Sequence, residues 1–267
     1  MAWWRDIEER QLALRVIMSG AGTGYDLSPT TYNPEGKVYQ IEYAYKATEN
    51  SSSIAVLQCR DGIVFGAEKL VLSKMMVEGT NRLDSAIHLH AGLLFTGIVP
   101  DGRALVTRAR QEAASYHQNY GTEIPAHVLA DRVAQYMHAH TIYGGVRPFG
   151  VLAALGALDR GKPKLYLLEP SGNYCQYFAC TGGKGSQTCK TEIDKLNLGA
   201  MTCEEALEPL AKMLLKVYEE NRDKRYELEL YWMTEATSFS FVEVPRDLRK
   251  AVEQRAKDLL ENEAMGE

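Results

Sequence analysis

Between residues 38 and 50, apolar positions recur at helical spacing: Val38, Ile41, Ala44 and Tyr45 share one side, and Glu42 stands one turn ahead of Lys46. A short amphipathic helix is expected there. From residue 53 the pattern shortens. Residues 53–59 (S-I-A-V-L-Q-C) and 63–67 (I-V-F-G-A) are brief apolar runs that predict strands, with Asp61-Gly62 read as a two-residue hairpin turn. Residues 87–95 (I-H-L-H-A-G-L-L-F) continue the β pattern. The spacing then turns helical from Asp101, read as an N-cap, through Leu105, Ala109 and Ala113 to Tyr120-Gly121. A second helix opens near Pro125, carries Val128, Leu129, Val133, Tyr136 and Met137, and is expected to end at Gly144-Gly145. Two successive helices predict an antiparallel pair on one face of a sheet.

Three more strands are read at 151–158, 164–168 and 174–181, the last two joined by the turn Glu169-Pro170-Ser171-Gly172. A helix is expected over 184–196, and another behind the capping box Thr202-x-x-Glu205. Strands at 227–234 and 240–244 and a helix over 245–261 complete the pattern. Strands, helices, strands, helices in that order suggest two antiparallel sheets stacked between helical layers. Taken alone, the pattern supports only a mixed α and β chain.

The stretch before the first helix is different in kind. Gly22, Gly24, Pro29 and Pro34 resist regular structure, and Asn33-Pro34-Glu35-Gly36 is a turn signal in which Gly36 is free to take positive φ. An ordered tail rich in tyrosine therefore leads into the helix. Composition changes little: 267 residues, 45% apolar and 24% charged, are ample for a packed core. A net charge of -5 argues against nucleic acid as the main partner, and no apolar run approaches a membrane span. Cys59, Cys175, Cys180, Cys189 and Cys203 form an odd set without a CxxC pair, which reads as free thiols in a reducing compartment. Early charges from Arg5 to Arg15 interrupt any secretory signal, so cytoplasm or nucleus is the expected location.

The run G-T-G-Y-D-L-S-P-T-T-Y-N-P-E-G-K-V-Y-Q-I-E-Y-A (22–44) resembles the signature of the alpha-type subunits of the 20S proteasome. Residues 22–28, 68–74 (E-K-L-V-L-S-K) and 227–230 (E-L-E-L) are most similar to the branch at the seventh ring position. The resemblance runs from about Gly20 to the last helix. It implies an α+β fold, a four-layer α/β/β/α sandwich of the N-terminal nucleophile hydrolase type, inactive here. It implies a structural and gating role in ubiquitin-dependent and ubiquitin-independent protein degradation. The implied partners are other alpha subunits in a seven-membered ring, beta-ring subunits and regulatory caps, with no cofactor. Residues 18–36 are then a gate tail and 37–267 one domain. Residues 1–17 have no counterpart in the family pattern and are read either as a helical extension or as sequence upstream of a start at Met18.

Under the same resemblance, the cluster that sets open and closed tail arrangements corresponds to Tyr25, Asp26, Pro34 and Tyr43. Leu27 stands where most members carry Arg. The activator pocket's lysine falls at Leu83, beside Arg82, which puts docking in this chain's own pocket in doubt.

Catalysis is the competing reading. Active relatives use an N-terminal Thr whose own amine activates its hydroxyl, supported by Asp and Lys. The corresponding positions here are Ser52, Glu68 and about Leu83, and Ser52 lies deep inside the chain. An amidohydrolase would require processing to expose Ser51, Ser52 or Ser53. Other candidates are weaker. Gly182-Gly183-Lys184-Gly185-Ser186 lacks the Gly-Lys-Ser/Thr order of a phosphate loop and has Ala179 where a Gly is needed, so it reads as a strand-to-helix turn. His88 and His90 would share one strand face but lack further ligands at metal spacing, and His138 and His140 diverge around a helix. Arg147-Pro148-Phe149-Gly150 is read as a structural turn feeding the next strand.

Overall fold

The computed structural model describes residues 24–266 apart from 72, 74, 78, 79, 81 and 220–224. The proposed extension 1–17 and the first part of the tail lie outside the described residues. Helix α1 (Tyr39–Glu49) buries Ala44 and Thr48. Strands β1 (Ile54–Gln58) and β2 (Gly62–Val71) form a hairpin, and β3 (Asp84–His88) pairs with β4 (Ala91–Gly97). Helices α2 (Val99–Tyr120) and α3 (Ala126–Ile142) follow, then β5 (Val151–Asp159), β6 (Lys162–Leu168), β7 (Tyr174–Tyr177) and β8 (Ala179–Gly182). The chain continues through α4 (Ser186–Ile193), α5 (Cys203–Glu219), β9 (Arg225–Thr234), β10 (Val242–Glu243) and α6 (Arg246–Gly266).

Two five-stranded antiparallel sheets result, in the orders β10-β9-β2-β1-β8 and β3-β4-β5-β6-β7. Alternation along the strands decides what fills each side. Ile54, Val56, Ile63, Phe65 and Ala67 face the second sheet, in one core with Leu93, Phe95, Leu155 and the buried faces of α2 and α3. Ala55, Leu57, Val64, Leu228 and Leu230 face the other way, against Leu207, Leu210 and Leu214 of α5 and Val252 and Ala256 of α6. The expected four-layer α/β/β/α sandwich is the observed fold.

Several local expectations need correction. The stretch 174–181 is not one strand: it changes sheets at Phe178, so β7 closes the second sheet and β8 the first. Residues 87–95 are also broken, by a turn at Leu89-His90 that leads back into β4. His88 and His90 therefore do not share a strand face; the His90 amide instead donates to His88 Nδ1 at 3.3 Å. The first hairpin turns one residue earlier than expected. Cys59 N donates to Gly62 O at 2.8 Å, so Arg60-Asp61 is the loop and Gly62 is already in β2. Gly62 is needed for close approach rather than for the turn, since a Cβ there would stand 2.1 Å from Met233 O on the neighbouring strand. Asp101 is not the N-cap of α2 either; Ile98 is, and Asp101 sits in the first turn with its carboxylate on Arg147 and on Gly150 N. Helix α3 ends at Ile142, before the two glycines. The capping box stands as expected: Thr202 N donates to Glu205 Oε2 at 2.8 Å and Glu205 N to Thr202 Oγ1 at 3.3 Å.

Candidate functional site

The tail enters α1 through a turn built on Asn33. Gly36 N donates to Asn33 O at 2.9 Å with Gly36 at φ 77°, and Pro34 occupies the exposed second position. The Asn33 side chain is buried beneath it, and its Oδ1 accepts Lys37 N at 2.7 Å and Glu35 N at 3.0 Å. An Asx side chain ahead of Pro-x-Gly is a visible signal for this arrangement; the sequence pattern gave the turn, and the structure adds its organiser.

Upstream, the segment is held onto α1 at Asp26. Gln40 Nε2 donates to the Asp26 carbonyl. Burial, and then the facing Asp26 carboxylate, raise the pKa of the Tyr43 hydroxyl. Tyr39 stacks on Tyr43 with centroids 6.2 Å apart, and Lys46 Nζ lies 5.8 Å from the Tyr43 centroid. Of the four predicted gate residues, the structure joins Asp26 to Tyr43, while Tyr25 and Pro34 present surface. Leu27 and Tyr32 are 86% and 70% exposed, large apolar groups facing outward from a segment whose backbone is pinned.

Helix α1 is fixed to the body by contacts with no local signal in the sequence. Tyr45 donates its hydroxyl to Glu169 Oε2 at 2.9 Å in the β6–β7 turn, and burial pushes its pKa up to about 12. Beyond the helix, Ser51 Oγ meets Thr96 Oγ1 at 2.6 Å, and Thr96 Oγ1 donates to the Ser52 carbonyl. Opposite α1, Arg147 grips Asp101 with two nitrogens, at 2.6 and 2.9 Å. Burial alone would raise the Asp101 pKa, but Arg147 and the Gly150 amide hold it below the usual carboxylate range.

The three positions aligned with a catalytic centre do not assemble one. The hydroxyl beside the buried Glu68 carboxyl belongs to Ser53, not Ser52. Burial raises the Glu68 pKa to about 7, with the Ser53 hydrogen bond and Lys184 pulling it back. Ser53 Oγ in turn accepts Gly185 N at 3.0 Å, so Gly182–Ser186 is the strand-to-helix turn expected. Leu83 is 3% exposed in the inter-sheet core. It supplies neither a cation for catalysis nor a wall for a surface pocket. Arg82 is exposed and bonds Glu243 Oε2 at 3.2 Å. Ser52 follows α1 in mid-chain and has no free amine, the group this chemistry uses as its base.

Comparison with known proteins accords with this geometry. Residues 48–233 match the family described as proteasome subunit, and residues 25–47 match the N-terminal signature of the A-type members of that family. Proteasome subunit alpha type-3 of Arabidopsis thaliana is 48% identical over 244 residues, covering 91% of this chain and 98% of the relative. The protein of that name from Acanthamoeba castellanii is 46% identical over 242 residues, covering 91% and 96%. Probable proteasome subunit alpha type-7 of Saccharomyces cerevisiae is 43% identical over 218 residues, covering 80% and 76%.

Proposed function

The chain belongs to the proteasome subunit family as an alpha-type member, a non-catalytic subunit of the core, and from that premise we propose that its N-terminal segment is part of a gate. The chain packs beside other alpha subunits in a seven-membered ring, stands on a ring of beta subunits and offers its outer face to regulatory caps. Tails converging from the ring close its entrance, and the beta subunits perform the hydrolysis behind it. Protein degradation of this kind, with and without ubiquitin, takes place in cytoplasm and nucleus.

The observation that carries the gate is the anchoring at Asp26. Its carbonyl is held by Gln40 and its carboxylate faces Tyr43, while Leu27 and Tyr32 point outward. Ordering such a segment costs ~1–2 kcal/mol per residue in backbone entropy, which a lone domain gains little by meeting. Neighbouring tails that cover those side chains would offset it. Leu27 in place of a cation leaves this chain's side of the tail contact apolar. Native mass spectrometry of the endogenous protein tests the assembly. The expected result is a particle containing this chain together with other proteasome subunits; a monomer or homo-oligomer alone would refute it.

A further inference from the structure

The end of β3, one side of α2 and the loop ahead of α3 line a cavity of about 250 Å³. Ile87, Ala113 and Ile124 give it buried apolar walls, and Leu89, though 69% exposed, adds to them. Its polar lining is small: His88, Arg110, His117 and Glu123.

His88 has one ring nitrogen in use, since Nδ1 accepts the His90 amide at 3.3 Å. Burial lowers the pKa of the ring, with Glu123 pulling it back up and His90 pushing it further down. The ring is therefore neutral near pH 7, with its proton on Nε2. That nitrogen is buried and has no hydrogen-bond partner among the described residues. A buried donor left unmatched is costly, and an acceptor brought by a ligand removes the cost. Arg110 adds donors to the same cavity. Its Nε and Nη2 both lie on the Ala86 carbonyl, at 2.9 and 2.8 Å, which leaves Nη1 for another acceptor. Glu123 brings a carboxylate whose contact with His90 Nε2, at 3.9 Å, is long.

We propose that this cavity binds a free α-amino acid with an aliphatic side chain. The carboxylate of the ligand accepts from His88 Nε2 and Arg110 Nη1, and its ammonium donates to Glu123. Its side chain lies among Ile87, Ala113 and Ile124. The fixed charges of the wall, Arg110 and Glu123, are opposite. A zwitterion matches both, whereas a bare carboxylate or a bare amine leaves one of them opposed. The volume lies below the range of ~300–1,000 Å³ typical of pockets for drug-sized ligands, which limits the occupant to a few heavy atoms. No described residue of the tail lines the cavity, so binding there is independent of the gate.

The test is calorimetric titration of the isolated full chain with L-leucine. Two probes of the same shape accompany it: isocaproate, which lacks the ammonium, and isoamylamine, which lacks the carboxylate. L-leucine should bind saturably and about tenfold or more tightly than either, the difference expected for one charge-assisted contact. Glu123→Gln should weaken L-leucine by a similar factor and keep the wild-type melting temperature, because Glu123 is exposed. Arg110→Met should weaken it as well. The His88 ring resonances should shift at saturation, a readout that needs no variant. Absence of saturable L-leucine binding, isocaproate binding as tightly as L-leucine, unshifted His88 resonances, or wild-type affinity in Glu123→Gln would each overturn the proposal.

Discussion

The Tyr45 hydroxyl donates to Glu169 Oε2 across 2.9 Å, joining the helix that carries the tail to a turn 124 residues further along the chain. Ser171 Oγ lies 3.3 Å from the same hydroxyl, and His138 of α3 approaches the Ser171 carbonyl at the same distance. The helix position is therefore set by the second sheet and α3, not by α1's own sequence. Tyr45→Phe keeps the ring and removes the bond. It should cost ~1–2 kcal/mol, since a hydrogen bond to a charged group is worth somewhat more than a neutral one and this site is half-buried. Thermal melting of the isolated chain checks this; an unchanged melting temperature would show that the bond contributes nothing.

Stability should depend on pH through Glu68. Its folded pKa of about 7 lies above the ordinary 4.5, so the folded state holds a proton that the unfolded state releases. The associated stability is fully present below about pH 4.5 and is lost as pH rises to about 7, on the order of 1–3 kcal/mol in total. Glu68→Gln should remove that dependence and raise stability at pH 8. Denaturant unfolding at pH 5 and pH 8 reads both effects; a variant less stable than wild type at pH 8 would contradict the assignment.

At Gly36 the backbone sits at φ 77°, where a β-branched residue is strained. Gly36→Val should cost ~1–3 kcal/mol locally and reduce incorporation into particles. No Cβ clash contributes, because the position is open. Wild-type melting and incorporation together would show that the turn tolerates another conformation.

The isolated chain should hydrolyse no fluorogenic peptide. Ser52 has no free amine, and Leu83, buried among apolar side chains, supplies no cation. Turnover abolished by Ser52→Ala would contradict this.

Much of the layered fold was legible because its signals are local. Amphipathic spacing gave α1, the Thr202–Glu205 box gave the start of α5, and Pro34 and Gly36 gave the turn. The switch of sheets at Phe178 was not legible, because nothing in the composition of β7 and β8 separates them and only long-range pairing does. Gly62 was misread for a related reason: what it avoids is Met233, which is remote in sequence. Family resemblance put Asp26 and Tyr43 in one cluster without pairing them, and the Asn33 side chain came from neither source.

The measurement that bears most directly on the gate is basal peptide hydrolysis by purified particles without activator. Residues 1–31 are the segment to remove, since Asn33 must stay to form the turn into α1 through Lys37 N and Glu35 N. The truncated chain should assemble normally and raise the basal rate at equal particle concentration, with the beta subunits still performing the chemistry. Asp26→Ala should act in the same direction but more weakly, because the other tails remain. Normal assembly with an unchanged basal rate in the truncation would mean that this segment does not close the entrance.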